Sequence, residues 1–451
     1  MKTHGDHAVV CGAGMAGLLT ACALAGRYRH VTLIERDRLD GGMAARRGVP
    51  QGPHVHALFR LDDVVERLCP GLSDALVSKG AHHASARDMW MEVLGVTWRP
   101  SLDRRVVSAS RPFLEHHLRN RVLNAPGVRI LSGCQVTGVL QDPHGRRVTG
   151  VHVSHLGALD DPGAARPECI EADLVVDAIG RTGRGRAWLE SLGYPCPPEQ
   201  KMTVGVRYAS RTFRMRTVQP PVSYTFVAPR QDSRRGLVLA AQENGTWVVS
   251  QTCYGDTRPP GDGDEFLEYA CRLLPDEAAK AVQDAEPLSP ISTYHFAAGH
   301  HRLYSKVRHH PQGLLSTGDS LCALNPVYGT GIIIAAQLAL HLRHCLDEAA
   351  GGTGGTDDLA ERFYHGAGRI TRGAWQLNVL LDRLLNPTAN STPATRLATA
   401  ALRRVIRRAD QDKLLADAFL EAMEHSRPAR LLRPHIMLRA LAPGARSGRS
   451  A

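Results

Sequence analysis

An α/β fold, in which a domain of alternating strands and helices carries an inserted, mainly antiparallel β-sheet and ends in a helical cap, is what this 451-residue sequence predicts. Three observations carry it. Residues 7–35 read as strand, glycine turn, helix and second strand. Between residues 194 and 296, short β-rich runs alternate with Pro- and Gly-rich turns. From residue 357 onward, apolar residues recur at helical spacing.

The first segment is the most informative. The apolar run 7–11 leads directly into Gly12-Ala-Gly14-Met-Ala-Gly17, and residues 31–34 form a second apolar run ending in Glu35. Gly12 and Gly14 permit a sharp turn and let a pyrophosphate approach the backbone, while Gly17 lets the helix sit close to the strand. The helix start offers unpaired N–H groups and a partial positive charge to phosphates. Glu35, 18 residues past Gly17, is placed to accept a hydrogen bond from a ribose hydroxyl. A GxGxxG alone is a weak signal; with strand before, helix after and acid at this distance, it specifies a Rossmann-type dinucleotide site.

The elements follow in order. Residues 36–59 form a Gly- and Arg-rich loop, in which Arg46 and Arg47 can meet phosphates or a bound acid. His54 and His56 would share a face of an extended segment, but no third ligand accompanies them, so a packing role is favoured over a metal, and as catalytic residues they are candidates by location alone. Helical spacing marks 61–69, and strand-like content marks 89–98. Arg111-Pro112 opens a helix running to Leu123, with Pro112 suited to its first turn. Arg111, at its mouth, can reach a phosphate; a plain surface arginine is the alternative. Residues 128–131 read as a third parallel strand, 136–140 and 148–153 as a hairpin, and 173–181 as a buried strand entering a glycine turn.

Strand runs at 203–209, 224–228, 236–241 and 247–251, then a helical stretch at 264–274, make up the insert, a floor or wall for a substrate. The chain then returns through Gly318-Asp319, Asn325-Pro326 and Tyr328-Gly329-Thr330-Gly331 into an apolar helix. Asp319 at a strand end can accept from a sugar-alcohol hydroxyl, and the helix N-terminus can face developing negative charge. Two ribose-like contacts far apart in the chain imply an extended ligand such as FAD. The expected domains are 1–193, 194–300, a return segment 301–350, and a helical region 351–451. Helical runs at 397–406 and 414–423 lie in the last of these.

Composition sets the outer limits. With 55 basic and 44 acidic residues the net charge is +11, and only six of the basic residues are lysine. No recognition motif supports nucleic-acid binding, and a solvated helical face accounts for the basic C-terminal region better than a membrane surface. The longest apolar run, 332–346, is broken by Gln337, His341 and Arg343, and the first strand begins too early to leave room for a signal peptide. Ten cysteines without a CxxC pair suggest neither a disulfide framework nor a zinc site, and hence a reducing cytoplasm.

Over residues 5–350 the chain resembles the flavoprotein monooxygenases with the para-hydroxybenzoate hydroxylase fold. Gly12-x-Gly14-x-x-Gly17 with Glu35, Asp177-Ala-Ile-Gly180-Arg181 and Gly318-Asp319 with Asn325-Pro326 carry the likeness. Val49-Pro50-Gln51, His54-x-His56, Asn325-Pro326-Val-Tyr328-Gly329-x-Gly331 and the tail with Asp382 are similar to the polyether olefin epoxidases of monensin and lasalocid assembly. The Asp177 motif lacks its adjacent glycine, and Ile332 replaces an expected Met. The resemblance implies that Arg111 contacts FAD and Asp319 its ribityl chain. Arg36, Arg46, Val136, Gly329, Gly331 and Ile332 join the cofactor-binding set, and Asn325, Pro326 and Tyr328 lie near the flavin.

It further implies reduction by NADPH or NADH, directly or through a separate flavin reductase. A flavin C4a-hydroperoxide formed from O2 then epoxidises or hydroxylates a hydrophobic polyketide- or terpenoid-like molecule. The alternatives are a flavin-dependent reductase or dehydrogenase, and a non-catalytic basic binding protein. No WxWxIP segment suggests a halogenase.

Overall fold

The structure is a computed structural model that describes residues 3–39, 42–43, 55–59, 64–156, 168–216, 218–230, 232–351, 357–385, 392–425 and 428–442. Strand β1 (Gly5–Cys11), helix α1 (Met15–Leu24) and strand β2 (Tyr28–Glu35) form the opening unit. β1 and β2 lie inside a five-stranded, all-parallel sheet with Leu174–Asp177 and Leu314–Ser316 on one side and Val128–Ser132 on the other. Such a sheet is buried on both faces, which is why 8–11 and 174–176 read as unbroken apolar runs. The return segment supplies an outer strand, so the first domain closes only after the insert has been built.

The expected hairpin forms from Cys134–Gln141 and Val148–His155, with Glu168–Glu171 as a third strand. Arg111–Leu123 is a helix capped by Ser110, whose Oγ accepts the Phe113 N–H at 3.3 Å.

The insert is a nine-stranded sheet, larger than the strand runs of 194–300 alone. Met89–Val93 pairs in parallel with Tyr224–Val227, and Val96–Trp98 extends that edge, so the 89–98 segment joins the substrate sheet. At the other edge Cys322–Ala323 pairs with Ser292–Arg302. The sixteen-residue strand Glu199–Arg214 runs through the centre; its pairing with Ser292–Arg302 shifts register between Thr203 and Val206, where Gly205 adopts φ +63°.

Side chains alternate across this sheet. Leu239, Val249, Phe213 and Trp247 pack against the helices Gly263–Leu273 and Asp276–Gln283 on one face. Met89, Met91, Tyr224 and Phe226 point to the other. That second face is covered by the C-terminal helices Leu359–Leu385, Pro393–Arg407, Lys413–His425 and Pro434–Leu441, whose Leu377, Leu384, Val405, Ile406 and Leu415 are buried. Among the described residues, no helix is long and apolar enough to cross a membrane.

The cysteine reading needs one correction. Cys22 on α1 and Cys69 are joined as a disulfide across 47 residues of chain, with Cα atoms 6.5 Å apart. Neither position shows a spacing signal, because the pair meets only when the Val65–Leu68 helix packs on α1.

Phe266 is fully buried and stacks on Phe213 at 6.2 Å, on the sheet face away from the cavity. Phe266→Ala is expected to lower stability by about 3–5 kcal/mol in urea unfolding while leaving flavin content unchanged.

Candidate functional site

The site is built at the turn after β1. Gly12 sits at φ +104°, and a Cβ there would meet the Ala178 carbonyl oxygen at 2.6 Å. At Gly17 a Cβ would collide with the Gly12 carbonyl, so α1 rides directly over the turn. Gly14 is the N-cap of α1 in extended conformation and provides no side-chain cap, which leaves the first-turn N–H groups facing outward. Glu35 is buried at the end of β2; its Oε2 accepts the Ala13 N–H at 2.8 Å and its Oε1 the Asp37 N–H at 3.1 Å. It therefore braces the glycine turn. Arg36 beside it is exposed and lies 3.9 Å from Asp37.

The return segment meets this turn through a second glycine. Gly318 has φ +59°, and a Cβ there would lie 2.5 Å from the Cβ of Ala16 in the first turn of α1. Asp319 is thereby placed next to the start of α1. It is exposed at its edge, yet the protein packed around its carboxyl removes enough water to push its pKa up, while the guanidinium groups of Arg111 and Arg181 pull the other way. Arg111 is held by Glu115, Nε to Oε1 at 2.7 Å. Arg181 lies over the rings of Phe296 and Tyr294 at 5.0 and 5.7 Å. Asp177 is fully buried and accepts from the Gly185 N–H at 2.6 Å, the Ser320 hydroxyl at 3.1 Å and the Ile179 N–H at 3.2 Å. Its role is to tie two strand ends together.

Past Asp319 the backbone turns through Gly329 (φ +66°) and Thr330 into the helix Gly331–Gly351. Thr330 Oγ1 is buried and finds no partner among the described residues. Pro326, Tyr328, Gly329, Thr330 and Arg111 form one wall of an apolar cavity. The opposite wall is the substrate sheet, with Met89, Met91, Tyr224 and Phe226, and the roof includes Phe419, Leu420 and Met423 from the C-terminal helices. The cavity reaches toward the return turn through Arg111, which lies in its wall and acts on Asp319.

A glycine cradle that any Cβ would fill, a bare helix N-terminus, and acids at both ends form a donor and acceptor set that fits FAD.

Several of the sequence-predicted residues come together locally: Gly12, Gly17 and Glu35 at the turn after β1, Asp319 beside Gly318 and within the field of Arg111, and Arg111 with Gly329 in the cavity wall; Gly14 caps α1 and Gly331 opens the helix Gly331–Gly351. Val136 is buried in the first-domain core, and Ile332 packs against that core while Ile333 reaches the cavity. Asn325 turns inward: its Nδ2 donates to Tyr254 Oη at 2.9 Å and to Asp382 Oδ1 at 2.8 Å, and its Oδ1 accepts the Val327 N–H at 3.1 Å. Arg46, Arg47 and His54 lie outside the described residues. His56 falls on the strand Val55–Phe59, paired with Ala109, and its side chain is outside the described set.

Asp382, which the sequence singles out only as part of the tail resemblance, lies behind this wall. Tyr328 Oη donates to its Oδ1 at 2.7 Å, and burial lifts its pKa to about 6 against the pull of the Tyr328 and Asn325 hydrogen bonds. A lone carboxylate within an otherwise apolar stripe of Leu377, Leu381, Leu384 and Leu385 was the available signal.

The family described as FAD dependent oxidoreductase matches residues 8–186. Protein Rv3254 of Mycobacterium tuberculosis (strain ATCC 25618 / H37Rv) is 33% identical over 428 residues, covering 92% of this chain and 88% of the relative. Among solved structures, the flavin-dependent brominase Bmp2 superposes with a TM-score of 0.66 at 14% identity, over 93% of this chain and 94% of its own. The p-nitrophenol 4-monooxygenase PnpA from Pseudomonas putida DLL-E4 gives 0.65 at 18%, over 94% and 99%. At these identities the structures establish a shared fold.

Gly318→Ala forces a side chain into a left-handed backbone position and against Ala16. Retained flavin per protein, read from the visible spectrum after gel filtration, is expected to fall at least about tenfold, which corresponds to about 1.4 kcal/mol, with circular dichroism unchanged.

Proposed function

We propose, for a chain that belongs to one family with Rv3254 and matches the FAD dependent oxidoreductase model over residues 8–186, that it is a monooxygenase adding one oxygen atom from O2 to a hydrophobic small molecule. The observation that carries this reading is the apolar cavity whose wall includes Arg111, which acts on Asp319 of the return turn. A substrate held there lies beside the cofactor and out of water.

Each part of the chain has a task in this scheme. The first-turn N–H groups of α1 hold the pyrophosphate, Glu35 the adenosine ribose and Asp319 the ribityl hydroxyls. Arg111 holds the flavin end. Reduced FAD supplies the electrons that activate O2. The N–H groups at Gly329–Gly331 face negative charge on the reduced ring, and the methionine, aromatic and leucine walls exclude water. NADPH or NADH, directly or through a separate reductase, provides the electrons. Because the carboxyl oxygens of Asp177 are engaged inside the protein, its motif contributes to the strand junction more than to a nicotinamide site.

The likeness to polyether olefin epoxidases supports epoxidation of a polyketide- or terpenoid-like alkene in specialised metabolism. The second reading, hydroxylation of a phenol, is favoured by one observation: the Tyr328–Asp382 hydrogen bond sets an ionisable pair in the cavity wall.

The test is the visible spectrum of the purified protein, then NADPH- and NADH-dependent oxygen uptake with polyene and phenolic substrates. Bound flavin with substrate-stimulated uptake, abolished under nitrogen, is the expected result. Turnover that persists without oxygen points instead to a reductase or dehydrogenase, and a colourless protein that cannot be reconstituted with FAD ends the proposal.

A further inference from the structure

A second groove lies between the long C-terminal helix Leu359–Leu385 and the substrate sheet, apart from both the glycine turn and the apolar cavity. Its volume is about 1290 Å³. The helix lines it from Gly368 to Arg383, a rise of about 22 Å at about 1.5 Å per residue. At one end Gly368 abuts Ser305, and Lys306 and Arg372 line the wall. At the other, Arg383 is joined by Ala394 and Thr395 from the first turn of the helix Pro393–Arg407, and by Arg430 and Arg433.

The rim is one-sided in charge. Lys201, Lys306, Arg372, Arg383, Arg430 and Arg433 line the groove, and among the described residues Asp382 is the one acid that does. Lys201 is engaged by Glu199 at 3.3 Å and Arg430 by Glu421 at 2.9 Å. Guanidinium groups beside a helix N-terminus are phosphate chemistry.

The floor asks for the opposite. His301 is 3% exposed, and its Nε2 lies 2.9 Å from Thr371 Oγ1. That hydroxyl already donates to the Ala367 carbonyl at 2.8 Å, so Nε2–H donates to it and Nδ1 is left as an acceptor. Burial, with the charges of Arg372 and His300, holds the His301 pKa down to about 4, so the ring is neutral at neutral pH. Nδ1 has no partner among the described residues. The same is true of Asp382 Oδ2, while Oδ1 accepts from Asn325 and Tyr328. Buried acceptors left without donors destabilise a fold. Beside these two, Trp375, Val379 and Leu380 form an apolar strip.

We propose that this groove binds a nucleoside phosphate, at a site separate from the glycine turn. Phosphate oxygens meet Arg383, Arg433 and the Ala394 N–H. Ribose hydroxyls or base N–H groups donate to His301 Nδ1 and Asp382 Oδ2, and the base lies on the strip at Trp375. Inorganic phosphate lacks the reach, and an apolar molecule lacks both the anion and the donors. The site does not depend on the monooxygenase reading. Because Asp382 also holds Tyr328 in the apolar cavity wall, an occupant is two hydrogen bonds from that cavity. Pyridine nucleotides and coenzyme A both bring this chemistry, with an extra phosphate on the ribose 2′ or 3′ oxygen.

The probes are adenosine 2′,5′-bisphosphate and adenosine 3′,5′-bisphosphate, titrated by calorimetry into the full chain loaded with FAD, so that flavin already fills the glycine-turn groove. If the chain takes up no flavin, Gly318→Ala, which distorts that turn, carries the same titration. One equivalent is expected to bind with a Kd of about 100 μM or tighter. Preference for one isomer names the source, and equal binding assigns the site to the shared adenosine phosphate. Arg383→Ala with Arg433→Ala is expected to weaken binding at least about tenfold, and His301→Phe, which keeps a ring against Trp375, about fivefold. Arg433→Glu, at an exposed position, gives the same reading should the buried change misfold the chain. No binding of either probe at about 1 mM, binding indifferent to Arg433→Glu, or equal displacement by inorganic phosphate overturns the site.

Discussion

Asn325 is the interaction on which the site's shape depends. It is fully buried, and its side chain joins three parts of the chain that are remote in sequence. One hydrogen bond reaches Tyr254 on the substrate sheet, another reaches Asp382 on the long C-terminal helix, and a third closes its own turn at Val327. The Asn325 backbone N–H in turn donates to Asn378 Oδ1 at 3.0 Å. Bonds to a charged group contribute about 1.5–3 kcal/mol each, and an orphaned partner would cost a similar amount. Removing this amide would uncouple the return segment, the sheet and the cap together, because each leans on the same side chain.

Around that junction the two halves of the site obey different physics. The dinucleotide groove is defined by backbone approach: Gly12, Gly17 and Gly318 bring strand, helix and return turn closer than any side chain allows. Its recognition groups are N–H dipoles and carboxylates. The neighbouring cavity is defined by side-chain alternation along the strands, with Met89, Met91, Tyr224 and Phe226 on one face and the helix-packed core on the other. Arg111, anchored by Glu115, links the two halves: it lies in the cavity wall and within the field of Asp319.

The C-terminal helices do more than cover the sheet. Their Phe419, Leu420 and Met423 complete the cavity, and the Leu359–Leu385 helix adds Leu381, Leu384 and Leu385 to its lining while its Asp382 holds Tyr328 from behind the wall. The cap and the chemistry of the cavity wall are therefore one structure.

The sequence by itself determined the elements whose geometry is local. The β1–α1–β2 unit, the helix opened by Arg111-Pro112, the hairpin, the Gly318-Asp319 turn and the C-terminal helices were legible, because turn glycines, caps and apolar periods act within a few residues. The glycine turn was legible for the same reason, since Gly12, Gly14, Gly17 and Glu35 stand at fixed distances along one strand–helix–strand unit. Only the tertiary structure decided what meets across the chain. It put 89–98 into the substrate sheet, joined Cys22 to Cys69, turned Asn325 inward from the cavity, and set Asp382 against Tyr328, 54 residues away. No spacing rule encodes such pairs: they are fixed by how packed layers align, and that alignment depends on burial summed over the whole fold.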